Sequence, residues 1–322
     1  MEMKKTAGIK KGIKIMGNAV SALSMIFVLA ALFRMDFDCL AVTDWRAFVL
    51  VAAAGVFLKT VTVFLSALAW CLWLEYFAGR RCARREALRV YAKANIGKYL
   101  PGNVMHYVER NLFAAKLNLS HKQVASASAC EIVSLVFAAF LLGACLDFAD
   151  FPIVWRAVMR SLPFAKSGIV WIIVPAAAVC IAAGVYALRR ARRRQDGFLA
   201  LREGGQDGTG WFLRFCRTFL RCFWIYAAVL FLLGAILAAF YWYLGGQPNL
   251  REALRIIAAY MIAWVLGFVI PGAPGGIGVR EMALTLLLSP VTGRDTIVVL
   301  GVLHRLVTVL GDVLAYFLRN LK

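Results

Sequence analysis

REALRVYAKANIGKYLPG occupies residues 85–102, and REALRIIAAYMIAWVLGFVIPG occupies residues 251–272. Both begin with the same five letters, and both run to a Pro-Gly, Pro101-Gly102 in one and Pro271-Gly272 in the other. An Arg follows each proline at the same interval, Arg110 after Pro101 and Arg280 after Pro271. Further on, Glu131-Ile132-Val133-Ser134-Leu135-Val136 matches Arg305-Leu306-Val307-Thr308-Val309-Leu310 in pattern. REALR alone suits almost any amphipathic helix start, but the shared order of four features reads as an internal repeat. Each copy opens as a helix and is then interrupted. Gly97, Pro101 and Gly102 break the first, and Pro271, Gly272, Pro274, Gly275, Gly276 and Gly278 break the second. Glycine loosens the backbone at such positions, and proline removes a hydrogen-bond donor.

The surroundings of these breaks are lipid rather than water. Of 322 residues, 62% are hydrophobic and only 17% charged, against roughly 25% charged in a soluble chain. That leaves too few polar groups to cover a water-facing surface. Six apolar runs are long enough to cross a bilayer as helices: Ile15–Phe33, Phe48–Phe77, Val124–Leu146, Ser167–Leu188, Phe219–Leu244 and Thr296–Leu318. The first is longer than a signal-peptide core and lacks a clear A-x-A cleavage site, so it reads as an uncleaved span. The expected fold is an all-α polytopic membrane protein forming a single integral membrane domain, residues 1–322.

Charge placement orients the spans. The net charge is +20, but it sits in short runs beside apolar segments, which suits cytoplasmic loops and anionic lipid rather than nucleic acid. Arg80, Arg81, Arg84 and Arg85 form one such run, and the basic loop 189–210 another; Arg34–Asp44, with three aspartates, lies outside. Both termini are then cytoplasmic. The two interrupted segments must each start and end on one side, and on opposite sides from each other. Units 13–147 and 167–318 thereby become an inverted-topology repeat of about three spans plus a re-entrant hairpin each. The total is six full crossings and two broken-helix hairpins, about eight membrane segments. Arg251, Arg255 and Arg294 on the outer side count against this orientation. A simple kink, or two short full spans, is the alternative at each break.

Lipid cannot satisfy the N–H and C=O groups freed at a break, so each must be buried in protein or line a wet cavity. Helices restarting near Val104 and Ile277 would present free N–H groups suited to an anion. Ionisable residues at membrane depth usually pair or line a path. Arg110 and Arg280, beside Glu109 and Glu281, can hold a phosphate through two parallel bonds, or else tie the hairpin to a neighbouring helix. Lys98, next to the first break, is a phosphate candidate, whereas Lys93 can simply snorkel. Glu131 and Arg305 occupy corresponding positions and suggest a mutual pair, either a lock or a gate. Asp312 is a partner for Arg305 or a proton site, Lys59 lies deep in its span, and His304 is a site residue or a satisfied core histidine. Eight cysteines show no close metal-binding pair, and no HExxH or G-x-x-x-x-G-K-[ST] motif occurs, so no cofactor is expected.

PGNVMHYVER (Pro101–Arg110), CEIVSLV (Cys130–Val136) and PGAPGGIGVRE (Pro271–Glu281) resemble motifs of the lysylphosphatidylglycerol synthase transmembrane-region family, the flippase-like domain family. The resemblance runs from about Ile13 to Leu318, and its most specific part is PGGIGVRE. It implies handling of an anionic phospholipid or polyprenyl-linked lipid in a bacterial or archaeal plasma membrane, with a membrane enzyme as a further partner. The soluble aminoacyl-transferase domain of the fused enzymes is missing from this sequence, so translocation is expected rather than lysyl transfer. A membrane-embedded lipid-modifying transferase and a structural or assembly subunit are the alternatives. Oligomeric state is left open.

Overall fold

A computed structural model describes residues 44–99, 105–113, 117–146, 208–269 and 279–319. Every regular element among them is helical. In chain order these are α1 (Trp45–Ala78), α2 (Arg84–Asn95), a 3-10 turn (Ile96–Tyr99), α3 (Met105–Leu112), α4 (His121–Leu146), α5 (Gly208–Tyr243), α6 (Leu250–Val269), α7 (Val279–Leu288) and α8 (Arg294–Leu318). The described parts of 44–148 and 217–319 belong to one compact unit; of a second unit, 149–216, only the residues from 208 on are described.

Four helices are long and apolar enough to cross a membrane: α1, α4, α5 from Trp211, and α8. They coincide with four of the six expected crossings. The other two, Ile15–Phe33 and Ser167–Leu188, lie outside the described residues, as do the loop 34–43, most of the basic loop 189–210 and both termini. At about 1.5 Å per residue, the 34 residues of α1 span well beyond a hydrocarbon core of about 30 Å. The outward faces of these helices are apolar. Leu50 and Phe57 on α1, Leu220 and Trp224 on α5, and Phe317 on α8 are all more than half exposed. Such a surface suits lipid and is too greasy for water.

Helix ends are set by local chemistry. Asp44 caps α1, its Oδ1 accepting from the backbone N–H groups of Arg46 at 2.9 Å and Ala47 at 3.2 Å. Gly79 closes α1 in a left-handed conformation, φ 67°. Asn249 and Glu252 bond each other's backbone N–H ahead of α6, and Ser120 and Gln123 do the same ahead of α4.

The helices on either side of each break pack against each other. α3 packs against α2, and α7 packs against α6. Arg110 of α3 lies over the Tyr91 ring of α2 at 3.7 Å, a contact that a continuing helix cannot make. The turn is tight at Gly97, where a Cβ would stand 3.0 Å from the backbone nitrogen of His106. The residues of the breaks themselves, Pro101 and Gly102 and then Pro271, Gly272, Pro274, Gly275, Gly276 and Gly278, lie outside the described residues. Across the unit, α1 packs on α8 and α4 on α6, while α2 and the 3-10 turn pack on α8. Ile96 and Tyr99 of that turn meet Val309, Val313 and Tyr316 of α8.

Candidate functional site: two buried ionic centres

The first centre joins α2, α3 and α4. Arg110 donates from Nη1 to Glu131 Oε2 in a direct ion pair, with both side chains almost wholly buried. Tyr91 donates its hydroxyl to the other carboxylate oxygen, Oε1, at 2.8 Å. The guanidinium is enclosed by aromatic rings, Tyr91 at 3.7 Å, Tyr107 at 5.2 Å and Trp70 at 5.3 Å. Each ring offers a negative face to the cation. Trp70 is itself held by a bond from Nε1 to Ser128 Oγ at 3.3 Å. Arg110 thereby ties α3 to α4, and its guanidinium is enclosed by protein rather than open. Glu109 is also completely buried.

The second centre joins α1, α2, the 3-10 turn and α8 around Asp312, which has no exposed surface. Its Oδ1 accepts from Asn95 Nδ2 at 2.7 Å and pairs with Lys59 Nζ at 3.1 Å. Its Oδ2 accepts from the Tyr99 hydroxyl at 2.5 Å and from Lys98 Nζ at 2.6 Å. Four donors thus fill the carboxylate's acceptor positions. The helices can meet there because position 311 is glycine. A Cβ at Gly311 would stand 2.6 Å from Lys59 Cβ and 3.0 Å from the Val56 carbonyl oxygen. Thr60 braces the same crossing, donating to the Gly311 carbonyl at 3.1 Å. Two lysines against one aspartate leave the centre with an excess positive charge.

A third, more open pair lies close by. Glu281 of α7 meets Arg305 of α8 at 3.0 Å, with side-chain exposures of 36% and 23%. Arg280 is half-buried and stands close enough for its charge to bear on Lys98 and Tyr99.

The expected pairing of Glu131 with Arg305 is not formed. Glu131 is taken by Arg110, and Arg305 by Glu281. Asp312 likewise pairs with lysines rather than Arg305, because the neighbouring 3-10 turn delivers Lys98 and Tyr99 to its face of α8. His304 is a satisfied core histidine. Its Nε2 donates to the Leu233 carbonyl at 3.0 Å, and its ring packs at 4.7 Å from Tyr260. Lys59, Lys98 and Asp312 come together; Arg110 lies in the separate sealed centre, and Glu109 is buried beside the turn, its Oε2 3.2 Å from where a Cβ at Gly97 would stand. Tyr91, Asn95, Tyr99 and Thr60 did not figure among the sequence candidates. They are neutral, and attention to ionisable groups alone passes over them. A signal was there: Tyr91, Asn95 and Tyr99 recur every four residues through an otherwise mixed segment.

No family model and no curated protein matches the chain.

Proposed function

We propose that this chain is a flippase-like membrane lipid transporter that binds or translocates an anionic phospholipid or a polyprenyl-phosphate-linked lipid. The observation that carries this reading is the electropositive centre at Asp312. It lies inside a bundle of membrane-crossing helices, directly before the first helix break. A charge near the bilayer centre costs at least about 2.5–3.5 kcal/mol on insertion scales, so an excess cation held there suits a path for an anion. The resemblance of PGNVMHYVER, CEIVSLV and PGAPGGIGVRE to the flippase-like domain family points the same way.

The inverted repeat, with six crossings and two re-entrant hairpins, belongs to this proposal. Three features support it. In the first half, hairpin α2–α3 meets the following span α4 through α3; in the second, hairpin α6–α7 meets the following span α8 through α7. Each half also ties its hairpin to that span by one ion pair, with the signs reversed: Arg110 to Glu131, and Glu281 to Arg305. The spans following the hairpins are exchanged as well, α4 packing on α6 of the other half and α8 on α2. We place the protein in the cell membrane of a bacterium or archaeon, with both termini cytoplasmic.

A lipid-modifying transferase would need a carboxylate or histidine at an aqueous face. Of its three candidates, Glu109 and His106 are buried and Glu281, though 36% exposed, is paired with Arg305, which favours transport over that alternative. The test is leaflet exchange in vesicles carrying the purified protein, with labelled phosphatidylglycerol, a polyprenyl phosphate and phosphatidylcholine compared. The proposal expects the anionic lipids to exchange faster than in protein-free vesicles and faster than phosphatidylcholine. Equal rates with and without protein for every lipid would reject it.

A further inference from the structure

The four donors around Asp312 are not equally committed. Lys59 has its stem wedged against Gly311 and its side chain 10% exposed. Asn95 lies at the end of α2 and is buried. Lys98 differs: it sits on the short 3-10 turn, and its side chain is 24% exposed although its amine reaches a fully buried carboxylate. If Lys98 swung away, Oδ1 would keep Asn95 and Lys59 and Oδ2 would keep the Tyr99 hydroxyl. Asp312 would remain ionised and bonded, and Lys59 alone would balance its charge. The departing amine would carry the excess positive charge with it. Arg280, half-buried in the first turn of α7 next to Glu281, which pairs with Arg305 of α8, offers a second cation for the same anion.

We infer that Asp312 is a resident stand-in for a ligand phosphate, and that Lys98 transfers from Asp312 to a phosphate-bearing anion when that anion docks beside Arg280. This rests on the proposed handling of an anionic lipid and names the group that recognises it. The ligand class is a phosphate monoester or diester, since an ammonium and a guanidinium together suit its several oxygens. Asp312 and the ligand compete for one amine, which keeps the bound state shallow enough to release its cargo. Removing the competitor therefore tightens binding, the reverse of what loss of a direct binding residue does.

The test uses the full chain purified in nonionic detergent, with fluorescently labelled phosphatidylglycerol as probe and inorganic phosphate as competitor. K98Q should weaken probe binding by about tenfold, the scale of one lost charge-assisted hydrogen bond. D312N should tighten it by a similar factor. K98Q leaves Lys59 and Asp312 as a neutral pair, so it decides the matter even if D312N fails to fold. Competition by inorganic phosphate would assign recognition to phosphate as such; K98Q-sensitive binding without competition would assign it to the lipid headgroup, and either supports the site. Wild-type affinity in K98Q overturns the inference, as does unchanged or weaker binding in a folded D312N. If the wild type still exchanges anionic lipid in vesicles, that failure touches this site alone; if it neither binds nor exchanges any, the proposed function falls with it.

Discussion

Two ion pairs, one following each REALR segment, have opposite surroundings. Arg110 and Glu131 are sealed, with side-chain exposures of 1% and 2%, and three aromatic rings enclose the cation. Glu281 and Arg305 are 36% and 23% exposed. Both segments carry an Arg at the same interval after a proline, yet the first pairs through that Arg and the second through the neighbouring glutamate. Position in a repeat does not fix a residue's role; the neighbours do. Tyr91, Tyr107 and Trp70 make a cage that holds a guanidinium buried to 1% exposure. The excess positive charge gathers instead where the 3-10 turn meets α8, around Asp312.

The largest expected effect comes from breaking the sealed pair. R110Q leaves Glu131 buried with one partner fewer, and such losses cost about 3–5 kcal/mol. Unfolding in detergent should show a large fall in stability and yield. The double variant R110Q/E131Q should recover a substantial part of it, because no uncompensated charge remains. A stability loss that simply adds in the double variant would contradict the pairing.

The next effect is steric and falls at the second centre. G311A drives a methyl into Lys59 and the Val56 carbonyl, and overpacking of this kind costs about 1–3 kcal/mol. It should also displace Lys59 and so impair lipid exchange more than its stability loss alone explains. Unchanged melting and exchange would mean that α1 and α8 do not cross as closely as described.

The smallest effect belongs to the open pair. R305Q should cost about 1 kcal/mol or less, as solvent-screened pairs do, and its melting shift should be far below that of R110Q. A loss as large as that of R110Q would erase the distinction between the two pairs.

Much of the fold was legible because length and hydropathy are local properties. The spans expected at Phe48–Phe77, Val124–Leu146 and Thr296–Leu318 appear as Trp45–Ala78, His121–Leu146 and Arg294–Leu318, and the helix expected to restart near Ile277 is Val279–Leu288. α5 starts at Gly208 rather than Phe219, since the arginine-bearing turns preceding the apolar run continue the helix. The clustering of charge was legible as a list of residues that must find partners: Lys59, Lys98, Arg110, Glu131, Arg305 and Asp312. Which partner each finds was not. Asn95 and Asp312 are 217 residues apart, and Tyr99 and Asp312 are 213 apart. Contacts of that range depend on how hairpins and spans interlock, and corresponding positions in a repeat suggested Glu131–Arg305 where the chain makes two separate pairs instead. The aromatic cage left no charge pattern to read, and the sealed character of Arg110 was invisible for that reason.

The central claim is that Arg110 belongs to the fold and Lys98 to lipid handling. One paired measurement tests it most directly: leaflet exchange of labelled phosphatidylglycerol in vesicles, with thermal unfolding in detergent, for R110Q and K98Q side by side. R110Q should show a large fall in melting temperature. K98Q should keep a near-normal melting transition together with strongly reduced exchange. Wild-type exchange in K98Q, or an R110Q protein that melts normally but no longer exchanges lipid, would contradict it.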